Sequence, residues 1–186
     1  MEWTFQLPLE GSDEVVVLCL ANELFLDKTD KRLEFLSLVK HGLKKGGSSP
    51  SIQHAIAVVF DAVAGLCATD YSEVGYWAAV PCSRAYKRPP LQGFVENLAR
   101  GLGAQAFSLE RISTVESSRF YAGEKGTIDT RIDVQGKVVG IIDDYVTSGS
   151  TLEACRLFLK DKGASEVVMI GIGKLGVPEY PTPTQS

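Results

Sequence analysis

The sequence predicts an α/β fold in which a mostly parallel sheet is flanked by helices. Three observations lead there. The apolar segments Val74 to Val80, Lys137 to Ile142 and Glu166 to Ile172 have the length and β-branched content of buried strands. Stretches with apolar residues at helical spacing separate them, and strands alternating with helices imply parallel crossover units. The chain has 186 residues, 45% of them hydrophobic and 23% charged, so it can bury a full core without disulfides or a structural metal.

The elements follow in order. Trp3 to Leu9 and Val15 to Leu24 flank the turn-forming Glu10-Gly11-Ser12-Asp13 and read as a β-hairpin. Asp30 is placed to cap a helix whose Leu33, Leu36, Val39 and Leu43 share one face, and Gly46-Gly47 ends it. Ser49-Pro50 opens a second helix, with proline in the first turn where its missing N–H costs nothing. Ile52, Ile56, Val59, Val63 and Leu66 form its apolar stripe. The strand at 74–80 stops at Pro81, and the prolines of 82–90 exclude regular structure there. Gly93 to Leu102 reads as a helix. Residues 105–136 are polar, with weak periodicity. Thr151 to Lys162 forms a helix between the second and third strands, ended by Gly163. From Pro178, Pro181 and Pro183 predict an extended or disordered tail. The expected organisation is a hairpin and helix extension over 1–48, a core over 49–175, and a flexible tail over 176–186.

The formal net charge is −4 and the pI about 5.3, which argues against nucleic acid as a partner. A small polyanion held by a few local cations is compatible with that balance. No unbroken apolar run approaches a bilayer-spanning length, and Met1-Glu2-Trp3 lacks a basic n-region. A cytoplasmic protein without a membrane partner is therefore expected. Cys19, Cys67, Cys82 and Cys155 form no C-x-x-C pair, so buried reduced thiols are expected rather than a zinc ribbon. His41 and His54 sit on helices without an acid or thiol partner at a useful spacing.

The informative segment is Val138-Val139-Gly140-Ile141-Ile142-Asp143-Asp144-Tyr145-Val146-Thr147-Ser148-Gly149-Ser150-Thr151-Leu152. An apolar strand delivers two adjacent carboxylates to the sheet edge. Ionised carboxylates are acceptor-only groups and suit the hydroxyls of a sugar. Thr147, Ser148, Gly149, Ser150 and Thr151 then run into a helix, where successive backbone N–H groups and the helix dipole favour an anion. Acids for hydroxyls followed by a cradle for phosphate match a ribose 5-phosphate. The Walker pattern is absent.

Residues 138–152 resemble the motif by which type I phosphoribosyltransferases bind 5-phosphoribosyl 1-pyrophosphate (PRPP). A second stretch, Val80-Pro81 followed by Arg88-Pro-Pro-Leu-Gln-Gly93-Phe94 and then Arg111 and Arg119, is similar to the ComF-like branch of that superfamily. The resemblance spans about residues 74–172. Three features depart from the branch: there is no N-terminal cysteine ribbon, Gln92 stands where arginine usually precedes Gly-Phe, and the polar pattern between Arg111 and Arg119 is only partly kept.

The resemblance implies a type I phosphoribosyltransferase-like fold and a Mg²⁺-dependent transferase. Such an enzyme moves ribose 5-phosphate from PRPP to a nitrogen acceptor, usually a nucleobase, and releases pyrophosphate. It implies that Asp143 and Asp144 are the catalytic acids on the ribose and that Thr147 to Thr151 hold the 5′-phosphate. Ser83, Arg84, Lys87 and Arg88 are the candidates for pyrophosphate. Mg²⁺ would be carried mainly by PRPP, with Asp143 reaching it through water and no direct protein ligand. The superfamily's flexible hood falls at about 105–136, where Arg111, Arg119, Phe120, Tyr121 and Arg131 are candidates to contact substrate. Related folds often dimerise, so a homodimer is expected. Where 6-oxopurine enzymes with this motif carry an aspartate, this chain has Thr147, which cannot serve as a base at neutral pH. That disfavours hypoxanthine and guanine and leaves adenine, orotate-like substrates and other acceptors open. A non-catalytic PRPP- or nucleotide-binding sensor module is the alternative the same motif allows.

Overall fold

The structure is a computed structural model that describes residues 4–9, 12–18, 31–81, 90–111, 128–146 and 149–174. Eight strands and four helices occur among them: β1 (Thr4–Leu9), β2 (Ser12–Leu18), α1 (Lys31–Lys45), α2 (Pro50–Asp70), β3 (Tyr76–Ala79), α3 (Pro90–Gly101), β4 (Gln105–Ser108), β5 (Glu110–Arg111), β6 (Ile128–Asp129), β7 (Val138–Val146), α4 (Ser150–Asp161) and β8 (Glu166–Lys174). The main sheet has the order β1-β2-β8-β7-β3-β4. Every neighbouring pair in it is parallel except the β1–β2 hairpin. The fold class is therefore the α/β arrangement that alternating strands and helices predict.

The centre of the sheet is covered on both faces, as its unbroken apolar sequence requires. Successive residues of a strand point to opposite faces, yet Ile141 and Ile142 are both fully buried, as are Trp77 and Ala78. Trp77 lies across the strand pair from Gly140, where a Cβ would sit 2.2 Å from its ring. Only glycine leaves room for the indole at that point.

The helices follow their apolar stripes. Leu36, Val39 and Leu43 of α1 are buried. On α2 the N-cap is Ser49, whose side chain accepts from Ile52 N at 3.4 Å. Its buried line is Ile52, Ala55, Val59, Val63 and Cys67, so the stripe ends on Cys67, with Leu66 and Ile56 only partly covered. This helix is long and apolar enough to cross a membrane by length and composition, a property that counting unbroken runs misses because Gln53, His54 and Asp61 interrupt it. Here it packs against α1 and α3, with Val59 and Val63 fully buried.

Three differences from the sequence reading bear on the site. Pro90 opens α3 rather than lying in the irregular loop before it, as suits a residue that needs no amide partner in a first helical turn. Residues 105–108 form β4, a polar edge strand parallel to β3, where the sequence suggested only unpatterned hood. An edge strand with one covered residue, Phe107, carries too little periodicity to be read. Finally, the strand expected to end at Ile142 runs on to Val146. Residues 19–30, 82–89 and 112–127, the residues from 175 onward, and with them Cys19, Cys82, Phe120 and Tyr121, lie outside the described residues.

Candidate functional site

β7 changes character at Ile142. Up to that residue it is paired on both sides, with β3 from Tyr76↔Val139 to Ala79↔Ile142 and with β8 from Val138↔Glu166 to Ile142↔Ile170. The amide of Val80 makes the last bond on the β3 side, donating to Ile142 O at 2.9 Å. Beyond it only β8 continues, through Asp143↔Gly171, Tyr145↔Gly173 and Val146↔Lys174. Among the described residues, the β3 side of Asp143–Val146 has no partner strand. Both acids of this stretch are half-buried. This is the carboxyl end of a central parallel strand, where α/β sheets bind ligands.

The two carboxylates are held differently. Asp144 Oδ1 accepts from the amide of Tyr145 at 2.8 Å, and its Oδ2 lies 3.7 Å from Lys44 Nζ on α1. Asp143 is pushed up to about 8 by burial first and then by the negative charge of Asp144 and a side-chain hydrogen bond to it; the Asp144 backbone and Lys44 pull the other way. Adjacent carboxyls commonly share a proton in this manner. Cys155 on α4 feels the same acid: burial, and then the charge of Asp143, raises its thiol. Cys67 is likewise pushed up to about 12 by burial. Both thiols are free, buried and protonated, as expected of packing residues.

The phosphate half of the motif begins at Gly149. It is the N-cap of α4, with φ 79° and ψ −5°, a left-handed conformation that favours glycine. Gly149 O accepts from Glu153 N at 2.9 Å, and Gly149 itself brings no side chain to the cap. Ser49 caps α2 with its hydroxyl, whereas the N-cap residue of α4 is a glycine with no side chain to do so; helix amino ends in general favour anions. The acid of that turn, Glu153, would oppose a phosphate if it stood alone. Arg156 neutralises it through a two-pronged pair, Nε to Oε2 and Nη2 to Oε1, each 2.7 Å, with Arg156 only 8% exposed.

The structure thus gathers Asp143, Asp144, Gly149, Ser150 and Thr151 at the end of β7 and the start of α4. Thr147, Ser148, Ser83, Arg84, Lys87, Arg88 and Arg119 lie outside the described residues. Arg111 is on β5, in the small second sheet, its backbone paired with Ile128. Arg131 sits beside that sheet, 3.8 Å from Glu110 Oε1, and is largely exposed. His41 and His54 are exposed on their helices. Among the described residues no three His, Cys, Asp or Glu side chains converge as a metal cage would require. Sequence reasoning missed Lys44 and Tyr145. The signal for them was present: an aromatic residue directly after the acid pair, and a run of Lys40, Lys44 and Lys45 at the end of a helix with no assigned role.

No family model matches the chain, and no curated protein matches it. Among solved structures it is similar to a purine phosphoribosyltransferase from Pyrococcus horikoshii, with 20% identity over 70% of this chain and 93% of that one and a TM-score of 0.46. It is also similar to an adenine phosphoribosyltransferase from Rhodothermus marinus, at 18% identity over 68% and 81%, TM-score 0.46. A phosphoribosylpyrophosphate synthetase from Mycobacterium smegmatis aligns at 15% identity over 80% of this chain and 54% of that one, TM-score 0.48. The structural neighbours are therefore proteins of phosphoribosyl chemistry. At these identities the likeness is one of shape.

Proposed function

We propose that this chain is a Mg²⁺-dependent phosphoribosyltransferase that moves ribose 5-phosphate from PRPP to a nitrogen acceptor and releases pyrophosphate. One observation carries the reading. The acid pair lies at the carboxyl end of β7, beyond its last pairing with β3 among the described residues, and three residues separate that strand from α4, with Gly149 in the left-handed conformation at its N-cap. Carboxylates for the ribose hydroxyls and amides for the 5′-phosphate stand in the order the sugar phosphate needs.

In this reading the reaction asks nothing covalent of the protein. Its work is positioning and charge stabilisation. Asp144 accepts from a ribose hydroxyl. Asp143, once ionised, faces the positive charge that develops at the ribose C1 as pyrophosphate departs. Thr147, Ser148, Gly149, Ser150 and Thr151 enclose the 5′-phosphate. Ser83, Arg84, Lys87 and Arg88 follow β3, whose last pairing is beside Ile142, and are assigned to the pyrophosphate. Arg111 and Arg119 are assigned to the substrate from the hood side. Two carboxylates suit water-mediated contact with Mg²⁺ that arrives on the phosphates of PRPP, and that ion supplies charge neutralisation when bound. The acceptor is a nucleobase other than a 6-oxopurine, since Thr147 offers no base. The ComF-like branch, a cytoplasmic location and a homodimer complete the proposal, with residues 1–48 as extension and 49–175 as the transferase core.

Titration calorimetry of PRPP with Mg²⁺ tests the binding half. Asp144→Asn weakens PRPP by about 30-fold, as loss of a charged hydrogen-bond acceptor does, while its unfolding midpoint stays close to wild type. Equal affinity in wild type, Asp143→Asn and Asp144→Asn would falsify the assignment. Pyrophosphate release with adenine, orotate, uracil, guanine and hypoxanthine tests the catalytic half. Turnover with one non-6-oxopurine base is expected, whereas binding without turnover on the whole panel identifies a sensor module instead.

A further inference from the structure

The N-terminal helix reaches into the acid pair. On α1, residues 36, 40 and 44 lie in one row, four residues apart, and Tyr145 runs beneath that row. Its hydroxyl donates to Leu36 O at 2.8 Å, and the Lys40 and Lys44 ammonium groups stand 5.5 and 5.9 Å from its ring centroid. On the other side the ring packs on Gly173 of β8, where a Cβ would come within 2.7 Å of it. Tyr145 is 6% exposed, so it is a wedge between β8 and α1 that sets the helix against the strand. The next contact in the row is Lys44 with Asp144 Oδ2, at 3.7 Å. Asp144 therefore has one oxygen held by a backbone amide and the other facing an ammonium group.

We propose that Lys44 is a positioning residue of the phosphoribosyl site, fixing Asp144 for the ribose hydroxyls, and that α1 is for this reason part of the site. The inference rests on the reading given under Proposed function. A carboxylate with one fixed oxygen still rotates its side chain about the remaining bonds; a second anchor restricts that freedom and, with the Asp143 hydrogen bond also on the carboxylate, still leaves a lone pair for a hydroxyl. The same ammonium offsets the negative charge that two adjacent acids present to a polyanionic ligand. Lys44 is 46% exposed against 16% for Asp144, so the pair lies at the mouth of the site, and the lysine can be altered without opening the core.

The test is PRPP affinity with Mg²⁺, by calorimetry, together with thermal unfolding. Lys44→Gln weakens PRPP about tenfold, Lys44→Arg recovers affinity to within about threefold of wild type, and Lys45→Gln on the neighbouring exposed position changes nothing. In the Asp144→Asn background Lys44→Gln adds no further loss, because the group it positions is already gone. Unfolding midpoints of the Lys44 variants stay within about 2 °C of wild type, which separates positioning from a structural role. If Lys44→Gln binds PRPP as wild type does while Asp144→Asn does not, this inference fails and the proposed function stands. If the Lys44 loss persists undiminished beside Asp144→Asn, the lysine acts on the ligand directly and positioning is overturned. If wild type itself does not bind PRPP, both ideas fall together.

Discussion

The two halves of β7 obey opposite rules within nine residues. Val138 to Ile142 is apolar, paired on both sides and covered on both faces. Asp143 to Val146 keeps one neighbour, carries two acids and a tyrosine, and touches a helix from the far end of the sequence. The first half gains stability from burial; the second gives some of it up, since Asp143 is driven away from its ordinary ionisation by burial and by Asp144. What separates them is the point where β3 departs. Among the described residues the change of character in β7 falls where its pairing with β3 ends, while pairing with β8 still fixes the backbone.

The contrast is broken most severely from the apolar half. Gly140→Val forces a side chain into the Trp77 ring and costs about 3 kcal/mol of stability, measured by denaturant unfolding. In the proposed reading, the folded fraction still binds PRPP as wild type does, because the two halves act separately.

The polar half shows itself in pH. Asp143 binds its proton more tightly folded than unfolded, so its contribution to stability is intact below the ordinary carboxylate range and declines as pH rises toward about 8. Asp143→Asn removes that decline. The variant gains little over wild type near pH 4 and progressively more as pH rises toward about 9, read from unfolding midpoints across pH. A gain that is flat with pH would show that Asp143 is ordinary. The smallest effect belongs to the turn between site and helix. Gly149→Ala strains the left-handed N-cap by about 1 kcal/mol and weakens PRPP several-fold, visible by calorimetry before it is obvious in unfolding.

Much of this was legible in the sequence for a physical reason: burial on both faces writes an unbroken apolar run, and helices write a 3.6-residue stripe. β3, the apolar half of β7, α2 and α4 are all of that kind. The site's order was legible too, because acids and a glycine-centred hydroxyl run are local in sequence. The extension of β7 to Val146 was not, since one-sided pairing leaves no periodic mark. The lysine run on α1 was visible, but not that Lys44 meets Asp144 across a hundred residues of chain; a contact made by topology names no partner in the sequence. β4 escaped because a short polar edge strand looks like loop.

The β1–β2 hairpin ends up parallel to β8, at Val16↔Ile170 and Val17↔Gly171. Among the described strands of the sheet the hairpin is made first, and β8, on which its β2 docks, is made last. Until β8 is made, the Val15-Val16-Val17-Leu18 edge waits without its mate, exposed to pairing with other chains, and this pairing is a long-range event. A truncated nascent chain lacking β8 should accordingly be the species that chaperones bind and that aggregates first.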